Sequence, residues 1–125
     1  MSSLIRHIAL RAEDTENLAK FYEAAFGTVE VKRETTKQGG IAVYITDGYI
    51  TLAILPARGG KEGMDHFGFE IEDEARVTQA AKDFGAKKLP EPRPADRPYA
   101  QKRLYDPVGT GVDLAGPGTF AREAN

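Results

Sequence analysis

The sequence contains no cysteine among its 125 residues. Disulfides, thiolate metal sites and cysteine nucleophiles are therefore excluded. Any bound metal must be held by nitrogen and oxygen ligands. Histidine is almost as scarce, because only His7 and His66 are present. These two imidazoles are the first side chains to consider for a metal site.

Long apolar runs and a strong net charge are also missing. The apolar stretch nearest the N-terminus is interrupted by Arg6, His7 and Arg11, so neither a signal peptide nor a membrane span is expected there. Basic and acidic residues number 7 each in residues 1–60, and 10 and 12 in residues 61–125. Since no basic face is available, we expect no binding to nucleic acid or anionic lipid. The expected lack of a signal peptide and a membrane span suggests a cytoplasmic protein.

The first half of the chain predicts the element order βαβββ. After a strand at about residues 5–10, Asp14 is placed to cap a helix and Gly27 to end it. Between them, apolar residues recur at the spacing of one helix face: Leu18, Phe21, Tyr22, Ala25 and Phe26. Three strands follow, with an Asp-Gly turn between the last two, at about residues 28–35, 40–47 and 49–55.

The same order starts again in the second half. A strand over residues 64–71 leads to Asp73 as the next helix cap and to Gly85 as the helix end. One stripe of this helix is apolar: Val77, Ala80, Ala81 and Phe84. Short strands are predicted near residues 86–89, 99–105 and 111–115. The histidines and the caps are each offset by 59 residues, which indicates two copies of one unit in a single domain, about residues 4–56 and 64–116.

The duplicated unit resembles the vicinal-oxygen-chelate superfamily, which includes glyoxalase I, extradiol dioxygenases, fosfomycin-resistance enzymes and bleomycin-resistance proteins. Four stretches carry the resemblance: IRHIALRAEDTENLAKFYEAAFG, ITLAIL, DHFGFEIED and LYDPVGTGVDLAGP. The resemblance implies an α+β fold in which two βαβββ repeats form a cupped, partly open mixed β-sheet barrel with helices outside. It also implies a homodimer, and a metal or a small-molecule ligand in the concavity.

The resemblance also implies where a metal is held. Superfamily members with a metal take ligands from the first and fourth strands of each unit, and the matching positions are His7, Thr51, His66 and Asp113. Strand alternation turns each of these side chains away from its apolar neighbours. Two imidazoles and one carboxylate suit iron(II), manganese, zinc, cobalt or nickel and leave positions open for substrate. We therefore expect a divalent transition metal bound by His7, His66 and Asp113.

Strand parity adds candidates for catalysis and substrate binding. If Leu104 faces the helices, Arg103 and Tyr105 face the hollow side. There, Arg103 can clamp a carboxylate or enolate oxygen, or form a salt bridge at the rim of the sheet. Tyr105 or Tyr44 can donate a proton, and Glu70, on the face of His66, is a possible base.

The segment LPEPRPADRP, residues 89–98, contains four prolines and is not expected to be a central strand. It is predicted to be an extended connector, either a flap that brings Arg93 and Arg97 to an anionic ligand or a stiff surface link. The tail GPGTFAREAN is expected to lie outside the fold or to pack on a partner.

Departures from the superfamily narrow the possible reactions. Glyoxalase I usually has Glu or Gln at the position of Thr51, so lactoylglutathione lyase activity is not expected and Thr51 is assigned to substrate binding. Fosfomycin-resistance enzymes have a threonine at the position of Ala9. Extradiol dioxygenases have a glutamate at the position of Asp113, and the aspartate side chain is one methylene shorter than that glutamate. The first hypothesis is a metal-dependent lyase, isomerase or dioxygenase that activates an oxygen-rich substrate. The others are a metal-free binding protein of the bleomycin-resistance type and an interaction domain with a vestigial pocket.

Overall fold

The computed structural model describes residues 3–97 and 99–119; the expectations for Pro98 and residues 120–125 lie outside the described residues. Within these residues, eight strands and two helices follow one another in two βαβββ repeats, so the predicted α+β class is confirmed. The described chain divides into two compact units, residues 7–65 and residues 3–6 with 66–119. Within the described ranges, no helix is both long and apolar enough to cross a membrane.

The unit of residues 7–65 is a four-stranded mixed sheet with one helix. The elements are β1 (Leu4–Ala12), α1 (Thr15–Phe26), β2 (Val29–Thr35), β3 (Ile41–Thr46) and β4 (Thr51–Pro56). The strand order is β2-β3-β4-β1, in which β1 runs parallel to β4 and the other pairs are antiparallel. The first three residues of β1 belong to the other unit.

The helix α1 begins and ends at the residues that the sequence predicts. The Asp14 carboxylate accepts a hydrogen bond from the backbone N–H of Asn17 at 3.0 Å, which satisfies a donor that the first turn leaves unpaired. At the other end, Gly27 takes a left-handed conformation with φ 74°. A residue without a Cβ adopts this conformation without strain, and its N–H bonds to the Glu23 carbonyl.

The face of α1 that packs is narrower than the predicted apolar stripe. Ala19 is buried in a core with strand residues such as Val43, Ile45 and Ile54, and Leu18 and Tyr22 pack against it. Phe21 and Phe26 are instead exposed by 54% and 69%. Because the side chain of Ala19 is small, the helix approaches the sheet closely on that side. Phe21 and Phe26 therefore lie outside the core, in edge-to-face contact with each other.

Asp14→Ala is expected to lower the free energy of unfolding by about 1 kcal/mol, because the N–H of Asn17 loses its acceptor. Urea denaturation followed by circular dichroism measures the change. Lys20→Ala, at an exposed position of the same helix, is the control and should change stability by less than about 0.5 kcal/mol. Equal losses in the two variants would contradict the assignment of Asp14 as the cap.

The other unit repeats the arrangement. Its elements are β5 (Gly63–Glu70), α2 (Glu74–Asp83), β6 (Lys88–Pro92), β7 (Lys102–Tyr105) and β8 (Gly111–Ala115). The strand order is β5-β8-β7-β6, with β5 parallel to β8 and the remaining pairs antiparallel. Leu104 is buried in the core of this unit with Ile71, Val112 and Leu114, as the parity of β7 predicts.

The helix α2 is capped as predicted, but its apolar stripe is mostly uncovered. Asp73 accepts a hydrogen bond from the N–H of Arg76 at 3.0 Å, and Gly85 follows the helix with φ 77°. Val77 packs on the core, whereas Phe84 is 78% exposed. The short side chains of Ala80 and Ala81 leave a groove of about 790 Å³ along this face of the helix.

The edge strand β6 corrects the prediction for the proline-rich segment. A strand was expected to end near residue 89, but β6 continues to Pro92. It is the last strand of the sheet, where one side of the backbone needs no partner and proline is tolerated. Pro90 lies within the register shift between Lys88 and Glu91, because it cannot donate a hydrogen bond to β7.

Candidate functional site

His66 and Asp113 form a buried pair in the unit of residues 66–119. They lie on the parallel strands β5 and β8, where Gly68 is the Cα partner of Asp113. The Nε2 atom of His66 is 3.0 Å from Oδ2 of Asp113, and the two residues are 7% and 1% exposed. A Cβ at Gly111 would meet the Cβ of His66 at 3.4 Å. Gly111 and His66 are therefore close neighbours across β5 and β8.

Arg103 binds both members of this pair. It is the Cα partner of Asp113 across β7 and β8, so their side chains share a face of the sheet. Its Nε is 2.5 Å from Oδ1 of Asp113, and its Nη2 is 3.2 Å from Oδ2. The same Nη2 is 3.0 Å from Nε2 of His66. The planar guanidinium thus makes a two-point contact with the carboxylate, which is a strong form of ion pair.

The surroundings keep Arg103 charged. Burial alone lowers the pKa of Arg103, but the hydrogen bond and the charge of Asp113, with a further contribution from Tyr105, raise it above its usual value. A buried carboxylate is costly unless a cation is close. In this structure the guanidinium of Arg103 is a cation in contact with Asp113.

The spacing of the pair fits a metal ion. Two ligand atoms that each lie about 2.1 Å from one ion, at right angles, are about 3.0 Å apart. The distance between His66 Nε2 and Asp113 Oδ2 is 3.0 Å. An ion at this place requires Arg103 to release at least one oxygen of Asp113. The donor set therefore fits a divalent metal, and Arg103 competes with it.

The unit of residues 7–65 contains His7 and Thr51, which are Cα partners on the parallel strands β1 and β4. They are 4% and 3% exposed. His7, His66 and Asp113 are all buried, and each offers one ligand atom, an imidazole nitrogen or a carboxylate oxygen. The chain thus has a possible metal-ligating set of two histidines and one aspartate.

Strand register shows that Thr51 and Asp113 are not equivalent positions of the two repeats. Thr51 lies opposite the histidine of its repeat, and Gly111 lies opposite the histidine of the other. Asp113 is two residues further along β8, so its counterpart in the first repeat is Ala53. The first repeat therefore has no carboxylate or hydroxyl at the position that corresponds to Asp113.

Glu70 has partners on both carboxylate oxygens. Oε1 accepts a hydrogen bond from Nη1 of Arg6 at 3.0 Å, and Oε2 accepts one from the backbone N–H of Gly118 at 2.7 Å. Arg6 is itself only 5% exposed. The Glu70 side chain therefore connects β1, β5 and the segment after β8, all within the unit of residues 3–6 and 66–119. A role for Glu70 as a base would require it to leave these partners.

Tyr44 and Tyr105, the two candidate proton donors, lie in different units. The hydroxyl of Tyr44 donates to Glu34 Oε1 at 3.2 Å, and Nζ of Lys32 is 5.8 Å from its ring centroid. Tyr105 is half-buried on β7, two residues from Arg103, and Nζ of Lys88 is 5.7 Å from its ring centroid. Each phenol therefore has a cation nearby, and Tyr105 is the one in the unit of His66 and Asp113.

Sequence reasoning missed the contact between Arg103 and Asp113, although a signal for it exists. The turn between β7 and β8 is fixed by Asp106, whose Oδ1 accepts hydrogen bonds from the N–H groups of Val108 and Thr110 at 2.9 Å each. A DPVGT turn sets the register of the hairpin that it closes. Counting outward from this turn places Arg103 opposite Asp113.

Comparison with known proteins agrees with this architecture. A family model described as a glyoxalase-like domain matches residues 7–115. The hypothetical protein BH1468 from Bacillus halodurans C-125 has a similar structure, with a TM-score of 0.69 and 17% identity over 97% of this chain and 99% of that chain. No curated protein sequence matches the chain significantly.

Two further similar structures belong to enzymes. Methylmalonyl-CoA epimerase from Mycobacterium tuberculosis has a TM-score of 0.67 and 13% identity, over 91% of this chain and 87% of that chain. The 2,3-dioxygenase LapB from Pseudomonas sp. KL28 has a TM-score of 0.63 and 21% identity, over 90% of this chain and 40% of that chain. At these identities the likeness shows the shared fold, which hosts more than one reaction.

Proposed function

The chain belongs to the glyoxalase-like domain family, and on that premise we propose that it is a divalent-metal-dependent enzyme acting on a small oxygen-rich substrate. This membership agrees with the vicinal-oxygen-chelate superfamily that the sequence indicates. The observation that carries the proposal is the buried pair of His66 Nε2 and Asp113 Oδ2, whose separation of 3.0 Å suits two ligands of one ion. The metal is a divalent ion of iron, manganese, zinc, nickel or cobalt.

His7 is the proposed third ligand. It has the same place in the first repeat that His66 has in the second, on the strand that pairs in parallel with the fourth strand of its repeat. Its imidazole is buried, with 4% exposure. The residue before it, Arg6, forms an ion pair with Glu70 on the strand that carries His66. These three observations support His7, but the proposal for this ligand rests on the repeat.

The proposed chemistry divides the work between the ion and the side chains. When bound, a divalent metal supplies a Lewis acid that polarises a substrate oxygen. Once Arg103 has released Asp113, its planar guanidinium binds a negatively charged oxygen atom of the substrate or of an enolate-like intermediate. Tyr105 is the proposed proton donor beside it, with Tyr44 and Thr51 as substrate contacts from the other repeat. Lyase, isomerase and dioxygenase reactions fit this arrangement.

A second candidate function is supported by Arg103 itself. Its two-point contact with Asp113 and its contact with His66 occupy the atoms that an ion needs. A protein that uses this ion pair permanently has its charges balanced without a metal. The second candidate is therefore a metal-free protein that binds or sequesters a small molecule, as bleomycin-resistance proteins do.

We further propose that the protein is a cytoplasmic homodimer with a small-molecule substrate. The names of the two enzymes with similar structures, an epimerase and a dioxygenase, support a small substrate. The homodimer rests on the superfamily resemblance.

Elemental analysis of the purified protein tests the proposed metal. We expect about one equivalent of a transition metal in the natural protein, before or after reconstitution, and less than about a tenth of that in His66→Ala. Asp83→Asn removes an exposed carboxylate from α2 and is the control that should keep the full equivalent. Absence of metal from the natural protein after reconstitution with each of the five ions would favour the metal-free candidate.

A further inference from the structure

Arg93 lies beside Arg103 on one face of the sheet. Glu91 of β6 is the Cα partner of Arg103, and two residues further the N–H of Arg93 donates to the Gln101 carbonyl at 2.9 Å. Side chains of directly opposite residues in an antiparallel pair share a face, and so do alternate residues along each strand. Arg93, Arg103 and Asp113 therefore point to the same side of the sheet.

The guanidinium of Arg93 has an unused donor. Its Nε is buried and has no hydrogen-bond partner among the residues that the structure describes. A buried donor without an acceptor costs free energy, and native proteins rarely keep one without a reason. Pro92 and Pro94 flank Arg93 and fix the backbone on both sides of it. The backbone that carries this donor is thus restricted on both sides.

Several charged groups act on the guanidinium of Arg93. Burial lowers the pKa of Arg93, and the positive charges of Arg103 and Arg97 lower it further, while Asp113 and Tyr105 act in the opposite direction. Asp113 already makes a two-point contact with Arg103. Two other guanidinium groups therefore act on Arg93, and Asp113, the carboxylate that acts on it, is already engaged with Arg103.

We propose that Arg93 and Arg103 form a subsite for a carboxylate group of the substrate. The subsite deepens the proposed function and rests on it, since it identifies the substrate as a carboxylate-bearing molecule bound beside His66 and Asp113. A carboxylate has two oxygens in one plane, which match the paired N–H donors of a guanidinium. It would satisfy the Nε donor of Arg93 and balance the charge of its guanidinium.

Titration of the metal-free protein with sodium malonate tests the subsite. The Nε–H signals of arginine in ¹⁵N–¹H spectra report on the binding, and we expect the Arg93 signal to shift in a saturable way. In Arg93→Gln the dissociation constant for malonate should rise by at least about 10-fold, because one charged, two-point contact is lost. Arg93→Lys keeps the charge without the fork and should give an intermediate value. Arg76→Gln, an exposed arginine on α2, is the control and should bind as the natural protein does.

The possible results separate this subsite from the metal proposal. Equal affinity for malonate in Arg93→Gln and the natural protein, with both folded by circular dichroism, would overturn the subsite. Tighter binding of inorganic phosphate than of malonate would overturn the assignment to a carboxylate. Metal content is measured separately, and Arg93→Gln should hold as much metal as the natural protein. If the natural protein binds malonate through Arg93 but holds no metal, the subsite proposal stands and the metal proposal is wrong.

Discussion

Arg103→Met is expected to destabilise the metal-free protein by about 3–5 kcal/mol, because it leaves a buried carboxylate without the cation that contacts both of its oxygens. Asp113 is 1% exposed, so water cannot replace the guanidinium without opening the structure. Methionine fills much of the same volume, so the loss reflects charge more than packing. Urea denaturation in the presence of a chelator measures it.

A double variant isolates this interaction. Adding Asp113→Asn to Arg103→Met should recover most of the lost stability, because an amide has no charge to leave unpaired. Arg76→Met, at an exposed position, is the matched control and should change stability by less than about 0.5 kcal/mol. A loss below about 1 kcal/mol in Arg103→Met would show that the ion pair does not balance Asp113.

Metal should rescue Arg103→Met if the site holds an ion. A ligand present at 100 times its dissociation constant stabilises the folded state by about 2.7 kcal/mol. Zinc added to Arg103→Met should therefore restore much of its stability, and should act more weakly on Asp113→Asn. No stabilisation of either variant by zinc would favour the metal-free candidate.

The second large effect is on metal affinity, and it has opposite signs for the two partners. Asp113→Asn removes the only charged ligand of the proposed set and should weaken metal binding by more than about 100-fold, since even residues that merely orient ligands contribute 10- to 100-fold. Arg103→Met removes a competing positive charge from the same carboxylate and should strengthen binding by at least about 10-fold. Chelator competition followed by isothermal calorimetry measures both changes.

The opposite signs make this comparison decisive between the two candidate functions. Asp83→Asn, on the exposed surface of α2, should leave the affinity unchanged. If Arg103 instead belongs to a permanent ion pair, removing either partner should only destabilise the protein. Weaker metal binding in both Arg103→Met and Asp113→Asn would contradict competition between Arg103 and the ion.

Much of the secondary structure follows from local signals that the sequence displays. Asp14 and Asp73 cap helices because a carboxylate in that position satisfies N–H groups of the next turn. Gly27 ends its helix because it tolerates a positive φ. Such effects act over four or five residues, so the sequence alone reveals them. The 59-residue offset then reveals the duplication without any knowledge of packing.

The packing of the helices could not be predicted in the same way. Periodicity gave Phe21 and Phe26 the same weight as Leu18, yet the helix faces the sheet with Ala19. Which side of an apolar stripe packs depends on how closely two elements can approach, and small residues decide that. The exposure of Phe84 has the same origin, since the alanines of α2 do not fill the space beside the core.

The site shows a similar division. Strand parity correctly placed Arg103 on the face opposite Leu104, but its ion pair with Asp113 depends on the register of the β7–β8 hairpin. Register also separates Thr51 from Asp113, although each lies on the fourth strand of its repeat. A shift of two residues keeps the parity of a strand and changes its neighbours. Alternation therefore identifies a face, and only pairing identifies partners.

In the proposed site, both histidines hold one ion. The protein offers a direct test because it contains no other histidine. Zinc is added stepwise to ¹⁵N-labelled protein while the ring nitrogens of His7 and His66 are followed by NMR. We predict that one nitrogen of each ring shifts on zinc binding and that both changes are complete at one equivalent. A shift confined to one ring, or two shifts that saturate at different amounts of zinc, would contradict the claim.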